Sequence, residues 1–263
     1  MSFNVFFWCV VIFNAGQAVW CLNAAIEIIN GHDATASSVP YLAYVKLQSG
    51  EEDWFCGGSL ISQNYVLTSA NCTYRAENFT VVLGAYDISS SNESTRQVFT
   101  GTRDSIIQHE RYFADVFLND IALIKLSQAA VINDAVQIIP LTSGGDPNLE
   151  GQNATISGWG TTDGFDEYPA VLLNGDVTVS NISVCEHIYI DLIQRDKQFC
   201  TINDDIGVSI CDGDFGGPLA INGTLYGVQS FIIPYCYIGF PSVYTKLSFY
   251  LEWIAKNSDV SLQ

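Results

Sequence analysis

Eight brief apolar runs, each fenced by turn residues, constrain this chain more than any other feature. They are Tyr41–Leu47, Ser59–Ser69, Thr80–Leu83, Ile121–Leu126, Ala154–Ser157, Gly175–Val179, Gly223–Ser230 and Ser242–Lys246. Val, Ile, Leu, Tyr and Thr dominate them, and Gly, Asn, Ser and Pro separate them, which is the pattern of strands in an all-β domain. Helical spacing appears only near the end. There Phe249, Tyr250, Trp253 and Ile254 recur three and four residues apart and predict a helix over 247–257. No solenoid repeat and no low-complexity linker interrupts the series, and Ser89–Ser94 is its most loop-like stretch. At 263 residues and 48% hydrophobic, such a chain buries a substantial core.

Charge narrows the partners. There are 28 Asp and Glu against 10 Lys and Arg, a formal net charge of -18. Nucleic acids and anionic membrane surfaces attract clustered Lys and Arg, so neither is an expected partner. Phe6–Phe13 is apolar but too short to span a bilayer, and small residues follow at Ala15, Gly16, Ala18, Ala24 and Ala25. Residues 1–24 are therefore read as a secretory signal, cleaved between 18 and 24, followed by a short segment to 27.

Secretion gives the cysteines their meaning. Cys56, Cys72, Cys185, Cys200, Cys211 and Cys236 form an even set suited to disulfides in an oxidising compartment. Zinc is the competing use, but there is no CxxC pair and the three histidines lie far apart. Cys9 leaves with the signal, and the fate of Cys21 depends on the cut. Sequons begin at Asn71, Asn78, Asn92, Asn153, Asn181 and Asn222. The chain is read as a secreted, extracellular glycoprotein, with Asn71 excepted because it adjoins Cys72.

One stretch is built for chemistry yet lacks a reactive group. Cys211-Asp212-Gly213-Asp214-Phe215-Gly216-Gly217-Pro218 is a glycine-rich turn of the kind that brings backbone N–H groups close to a reacting atom. Its central residue would ordinarily carry a hydroxyl or thiol. Phe215 has neither.

Several segments in order along the chain carry a resemblance. Gly57-Gly58-Ser59-Leu60-Ile61, Val66–Cys72, Asn119-Asp120-Ile121-Ala122-Leu123, Ser157-Gly158-Trp159-Gly160, Gly213–Pro218 and Pro241–Thr245 resemble successive landmarks of chymotrypsin-like serine proteases. Leu83–Ile88 and Ser230-Phe231 are similar to the arthropod chymotrypsin and brachyurin branch. The resemblance covers residues 28–263 as a single domain. It implies two six-stranded antiparallel β-barrels, 28–140 mainly in the first and 141–246 mainly in the second, with the active site between them. It also implies disulfides Cys56–Cys72, Cys185–Cys200 and Cys211–Cys236.

Carried over residue by residue, the resemblance implies a degenerate catalytic triad. The base position is Asn71, an amide with no titratable proton near neutral pH. The orienting carboxylate, Asp120, is kept, and the nucleophile position is Phe215. His32, His109 and His187 are expected away from the cleft. Gly213 and Phe215 stand at the oxyanion hole. Ser209, Ser230, Ile232 and Gly239 stand at a specificity pocket that Phe215 partly fills. Family zymogens are cut after Arg or Lys, and the freed amino group pairs with the Asp before the nucleophile. Asp214 and Ile28 occupy those positions, but Glu27 precedes Ile28 and no Arg or Lys lies upstream. The pocket loops are thus expected to stay zymogen-like. Some relatives hold calcium after Leu83-Gly84; Ala85 removes the first carboxylate there despite Asp87 and Glu93, so neither a metal nor any other cofactor is expected.

The leading expectation is an inactive serine protease homologue, a monomer acting by binding in extracellular proteolysis, immunity or secretions. Its protein partner is unknown, and a protease, an inhibitor or another cascade component would fit. An active chymotrypsin-like endopeptidase and a binding module for a host or matrix protein are the alternatives.

Overall fold

The computed structural model describes residues 28, 31–145, 147–162, 168–202, 207–232, 236 and 240–262. The proposed signal, Cys21, Glu27 and Gly239 lie outside them. The chain opens with β1 (His32–Asp33), then runs through β2 (Leu42–Ser49), β3 (Glu52–Ser62), β4 (Tyr65–Thr68), β5 (Asn78–Leu83), β6 (Gln97–Thr102), β7 (Ile106–Gln108) and β8 (Ala122–Lys125). After a long connection come β9 (Asn153–Gly158), β10 (Leu173–Val179), β11 (Gln198–Ile202), β12 (Pro218–Ile221), β13 (Thr224–Phe231) and β14 (Ser242–Lys246). Three α-helices accompany them among the described residues: α1 (Ala70–Thr73), α2 (Ile182–Ile188) and the closing α3 (Leu247–Asn257).

The strands form two sheets, every ladder antiparallel. One has the order β6-β5-β2-β3-β4-β8-β7 and curls into a half-barrel, with no ladder joining β6 to β7 among the described residues. In the other, β10-β11-β14-β13-β12-β9 closes through β9 on β10 into a six-stranded barrel. β1 belongs to this second sheet, pairing His32 with Asn174. This is the chymotrypsin-like architecture with its C-terminal helix.

Alternation explains which faces are buried. In β2, Ala43, Val45 and Leu47 point inward while Lys46 and Gln48 face water. In α3, Leu247, Tyr250, Leu251 and Ile254 are buried at helical spacing. Each sheet has its own core. A third cluster joins Ile61, Leu67 and Leu123 of the half-barrel to Leu225 and Val228 of the barrel, under Leu247, Tyr250 and Ile254 of α3. That seam packs the two sheets against each other.

One strand expectation is corrected. Ser59–Ser69 is not a single strand: β3 ends at Ser62, the chain turns at Gln63-Asn64, and β4 returns against it, pairing Ser59 with Leu67. The polar Gln-Asn pair in the middle of the apolar run marks the turn. The short helices α1 and α2 were hidden by their length. Each is capped by a side chain, Ser69 accepting from Cys72 N–H and Asn181 from Ser183 N–H.

Candidate functional site: a cleft around Asn71, Asp120 and Phe215

Three segments bring the singled-out residues together. Asn71 sits on α1, whose Cys72 is tied to β3 by the Cys56–Cys72 disulfide. Asp120 lies just before β8, behind Asn119, whose φ is +55°. Asn119 is held in place by donating to Arg111 O (2.7 Å) and accepting from Tyr250 OH (3.0 Å). Phe215 lies in the turn before β12. The remaining bridges, Cys185–Cys200 and Cys211–Cys236, are also closed, so all three disulfides implied by the resemblance are present.

Asp120 is 1% exposed and fully engaged. Its Oδ1 accepts from the Asn71 backbone N–H at 2.6 Å, and its Oδ2 accepts from the Ser230 hydroxyl at 2.6 Å. Burial pushes its carboxyl up to about 7, against these hydrogen bonds that favour the ionised form. No described cation bonds it. The neighbouring wall offers the Asn71 amide, which neither takes nor gives a proton near neutral pH.

Phe215 bridges the two halves. Its half-buried ring packs against the cores of both sheets, and its carbonyl accepts from Gly57 N–H at 2.8 Å. The turn after it requires glycine. Gly216 has φ +82°, and a Cβ there would lie 2.1 Å from Thr68 Oγ1 and 2.6 Å from Gly57 O. Among the described residues, neither Gly213 N–H nor Phe215 N–H donates to a protein acceptor.

Asp214 is the second buried carboxylate, 1% exposed. Oδ1 accepts from Gly160 N–H (2.8 Å) and Oδ2 from Cys211 N–H (3.0 Å). Burial pushes it, too, up to about 7. A Cβ on Gly160 would lie 2.4 Å from its Cγ, and the pinned carboxyl has nowhere to retreat. Gly160→Ala is therefore expected to lose about 2–3 kcal/mol, read as a lower urea midpoint at unchanged m. Ile28 is fully buried in the barrel core beside Val208 and Gly175.

The other sequence candidates fall variously. Ser230 donates its hydroxyl to Asp120. Ser209 is 4% exposed with its hydroxyl unbonded among the described residues, and Ile232, 9% exposed, packs in the same core as Phe215. His109 is buried against Trp253 and Tyr250, accepts from Arg111 N–H, and is held below the usual imidazole range chiefly by burial. His32 is on β1 and His187 on α2, and none of the three lines the cleft. Near Ala85, the Glu93 carboxylate accepts from the N–H groups of Tyr86 and Asp87, each at 3.1 Å, and Asp87 accepts from Ser89. Among the described residues no group of three or more potential ligands gathers for a metal. Asn78, Asn92, Asn153, Asn181 and Asn222 are exposed, whereas Asn71 is half-buried and its sequon partner Thr73 fully buried.

Between these elements lies a cavity of about 610 Å³. Asn71, Gly213 and Phe215 line it, but so do Trp54, Phe55, Tyr74 and Tyr168, which sequence reasoning did not single out. They come from separated segments, and the only local hint was the aromatic pair Trp54-Phe55 beside Cys56.

Known proteins were compared with this arrangement in three ways. The Trypsin family model matches residues 28–254. The chain is 34% identical to a chymotrypsin of Phaedon cochleariae over 240 residues, covering 90% of this chain and 84% of that one. Against brachyurin of Leptuca pugilator it is 34% identical over 236 residues, covering 89% and 100%. Among solved structures, that of GrC superposes with a TM-score of 0.80 at 30% identity, covering 88% of this chain and 99% of the other.

Proposed function

The chain belongs to the trypsin family, and from that premise we propose that it is a secreted member without peptidase activity, working by binding. The observation that carries this reading is the pair Asn71 and Phe215 around Asp120. Peptide hydrolysis by this fold needs a hydroxyl to attack, an imidazole to take its proton and a carboxylate to orient that imidazole. At the three positions that the resemblance implies, Asp120 supplies the carboxylate, whereas Asn71 and Phe215 supply neither imidazole nor hydroxyl. Loss of the base or nucleophile of a related triad lowers the rate by ~10⁶, about 8 kcal/mol of barrier, and the second loss adds little because the members act as a unit. The free backbone donors of Gly213 and Phe215 stabilise nothing when no tetrahedral adduct forms.

Secretion is part of the proposal. It is supported by three disulfides, which persist in oxidising compartments, and by the apolar N-terminal run followed by small residues. The partner is a protein of extracellular proteolysis, such as a protease, an inhibitor or a cascade component, and the protein works as a monomer. No described helix is long and apolar enough to cross a membrane.

The test is direct. Purified protein is incubated with a serine-reactive fluorophosphonate probe and with apolar, aromatic and basic peptide substrates. Labelling and turnover at background are the expected result. Labelling or hydrolysis that disappears when one serine is mutated would overturn the reading.

A further inference from the structure

The cavity beside Phe215 has walls of one chemistry and a rim of another. Trp54 and Phe55 are half-buried in it, with the Trp54 Nε1–H bonded to Cys72 O at 2.9 Å and the Phe55 ring stacked on Tyr44 at 5.0 Å. Their positions are fixed before any ligand arrives. Tyr168 meets Phe55 edge-on at 5.1 Å, and Phe215 faces the space from the nucleophile turn. Tyr74 already carries a cation, the Arg75 guanidinium 5.3 Å from its ring centre. Rings held like this attract cations through their faces.

The rim is acidic. Glu52, Asp53 and Asp212 line the cavity against the single cation Arg75. Asp53 is paired with Lys46, while Glu52 and Asp212 are exposed residues whose carboxylates bond no other described side chain, though partial burial of the Asp212 carboxyl raises it above its ordinary range. The chain's net charge of -18 acts in the same direction at longer range.

We propose that this cleft binds an extended basic segment of a partner polypeptide, placing an Arg or Lys side chain between its aromatic walls and the carboxylates of Glu52 and Asp212. The proposal rests on the non-catalytic reading above and gives the binding function its ligand chemistry. A protease cleft normally releases its cut peptide. Here Phe215 fills the place of the attacking atom, so a peptide seated in the cleft stays whole. Preformed aromatic walls lower the ordering cost of binding, and the carboxylates select the sign of the ligand's charge.

The experiment measures binding of capped pentapeptides by calorimetry, with a central Arg, its uncharged isostere citrulline, or Glu. The Arg peptide is expected to bind about tenfold more tightly than the citrulline peptide, and to weaken several-fold between 50 and 500 mM salt. E52Q/D212N, both at exposed positions, should lose about tenfold for Arg and little for citrulline. Equal Arg and citrulline affinities, preference for the Glu peptide, or an unchanged E52Q/D212N overturns the inference. If that variant misfolds, the citrulline and salt comparisons on the native chain decide alone. Mass analysis of the recovered peptide separates the two readings. An intact peptide bound without charge preference overturns this inference only, whereas cleavage overturns the non-catalytic reading and this inference with it.

Discussion

Between pH 4 and pH 7 the protein is expected to lose stability as pH rises, by at most about 4 kcal/mol for each of Asp120 and Asp214. Both carboxyls are pushed by burial to about 7, from 3.8 in the unfolded chain. Between those values the folded state binds more protons than the unfolded one, so the free energy of unfolding falls with pH. The stabilisation is fully present below about 4 and gone above about 7. Among the described residues neither carboxylate has a cation to offset its desolvation; each has hydrogen-bond donors. His109 works the other way, since its lowered value makes stability rise towards 6.5, and it offsets part of the loss. The exposed carboxylates held low by their partners, such as Asp53 beside Lys46, matter only as pH falls below about 4. Urea unfolding at pH 4.5 and 7.5 checks this. D120N should remove about half of the fall and leave the part due to Asp214, because Ser230 can turn its hydroxyl to accept from the new amide, leaving the variant above the native chain at pH 7.5. A native profile that is flat or rises across this window would refute the argument.

The fold was legible where a strand carries its own alternation, as in β2 and β10, or is a short apolar run fenced by turn residues, as in β5 and β8. It was not legible where one local signal opposed another. β12 begins with Pro218, which donates no backbone hydrogen bond and so suits only the first position of a strand or an edge. β6 contains Gly101, a poor strand former, which is required because a Cβ would meet the Phe79 ring at 2.4 Å. The site divides in the same way. Asn71, Asp120 and Phe215 lie within short recognisable segments, so the resemblance places them by number. The aromatic walls do not, because Trp54, Tyr74 and Tyr168 become neighbours only when β3, α1 and the second barrel pack together. The bond from the Ser230 hydroxyl to Asp120 was not legible either, because only the folded register brings the two together across 110 residues of chain.

Restoring the missing groups is the severest test of the site. The Asn71 backbone already bonds Asp120 Oδ1, so N71H would set an imidazole beside a carboxylate that is in place. F215S would supply a hydroxyl in a turn whose Gly213 and residue-215 N–H groups have no protein acceptor among the described residues. Either change alone is expected to leave fluorophosphonate labelling at background, because a base without a nucleophile and a nucleophile without a base are nearly equivalent losses. N71H/F215S should become labelled. Peptide turnover should nonetheless stay weak, recovering only a small part of the ~10⁶ that a related triad supplies. Two features hold it down. Glu27 precedes Ile28 and no Lys or Arg stands there for a trypsin-like cut, so Asp214, which has two backbone donors, is expected to gain no ammonium partner. Removing the Phe215 ring also takes away packing against both sheets, at about 2 kcal/mol for a half-buried aromatic, so the melting curve must accompany the assay. A folded double variant that stays unlabelled would mean that Asn71 and Phe215 do not face a common reacting point. Labelling of N71H alone would mean that another hydroxyl stands where Phe215 is placed, and the non-catalytic reading would fail with it.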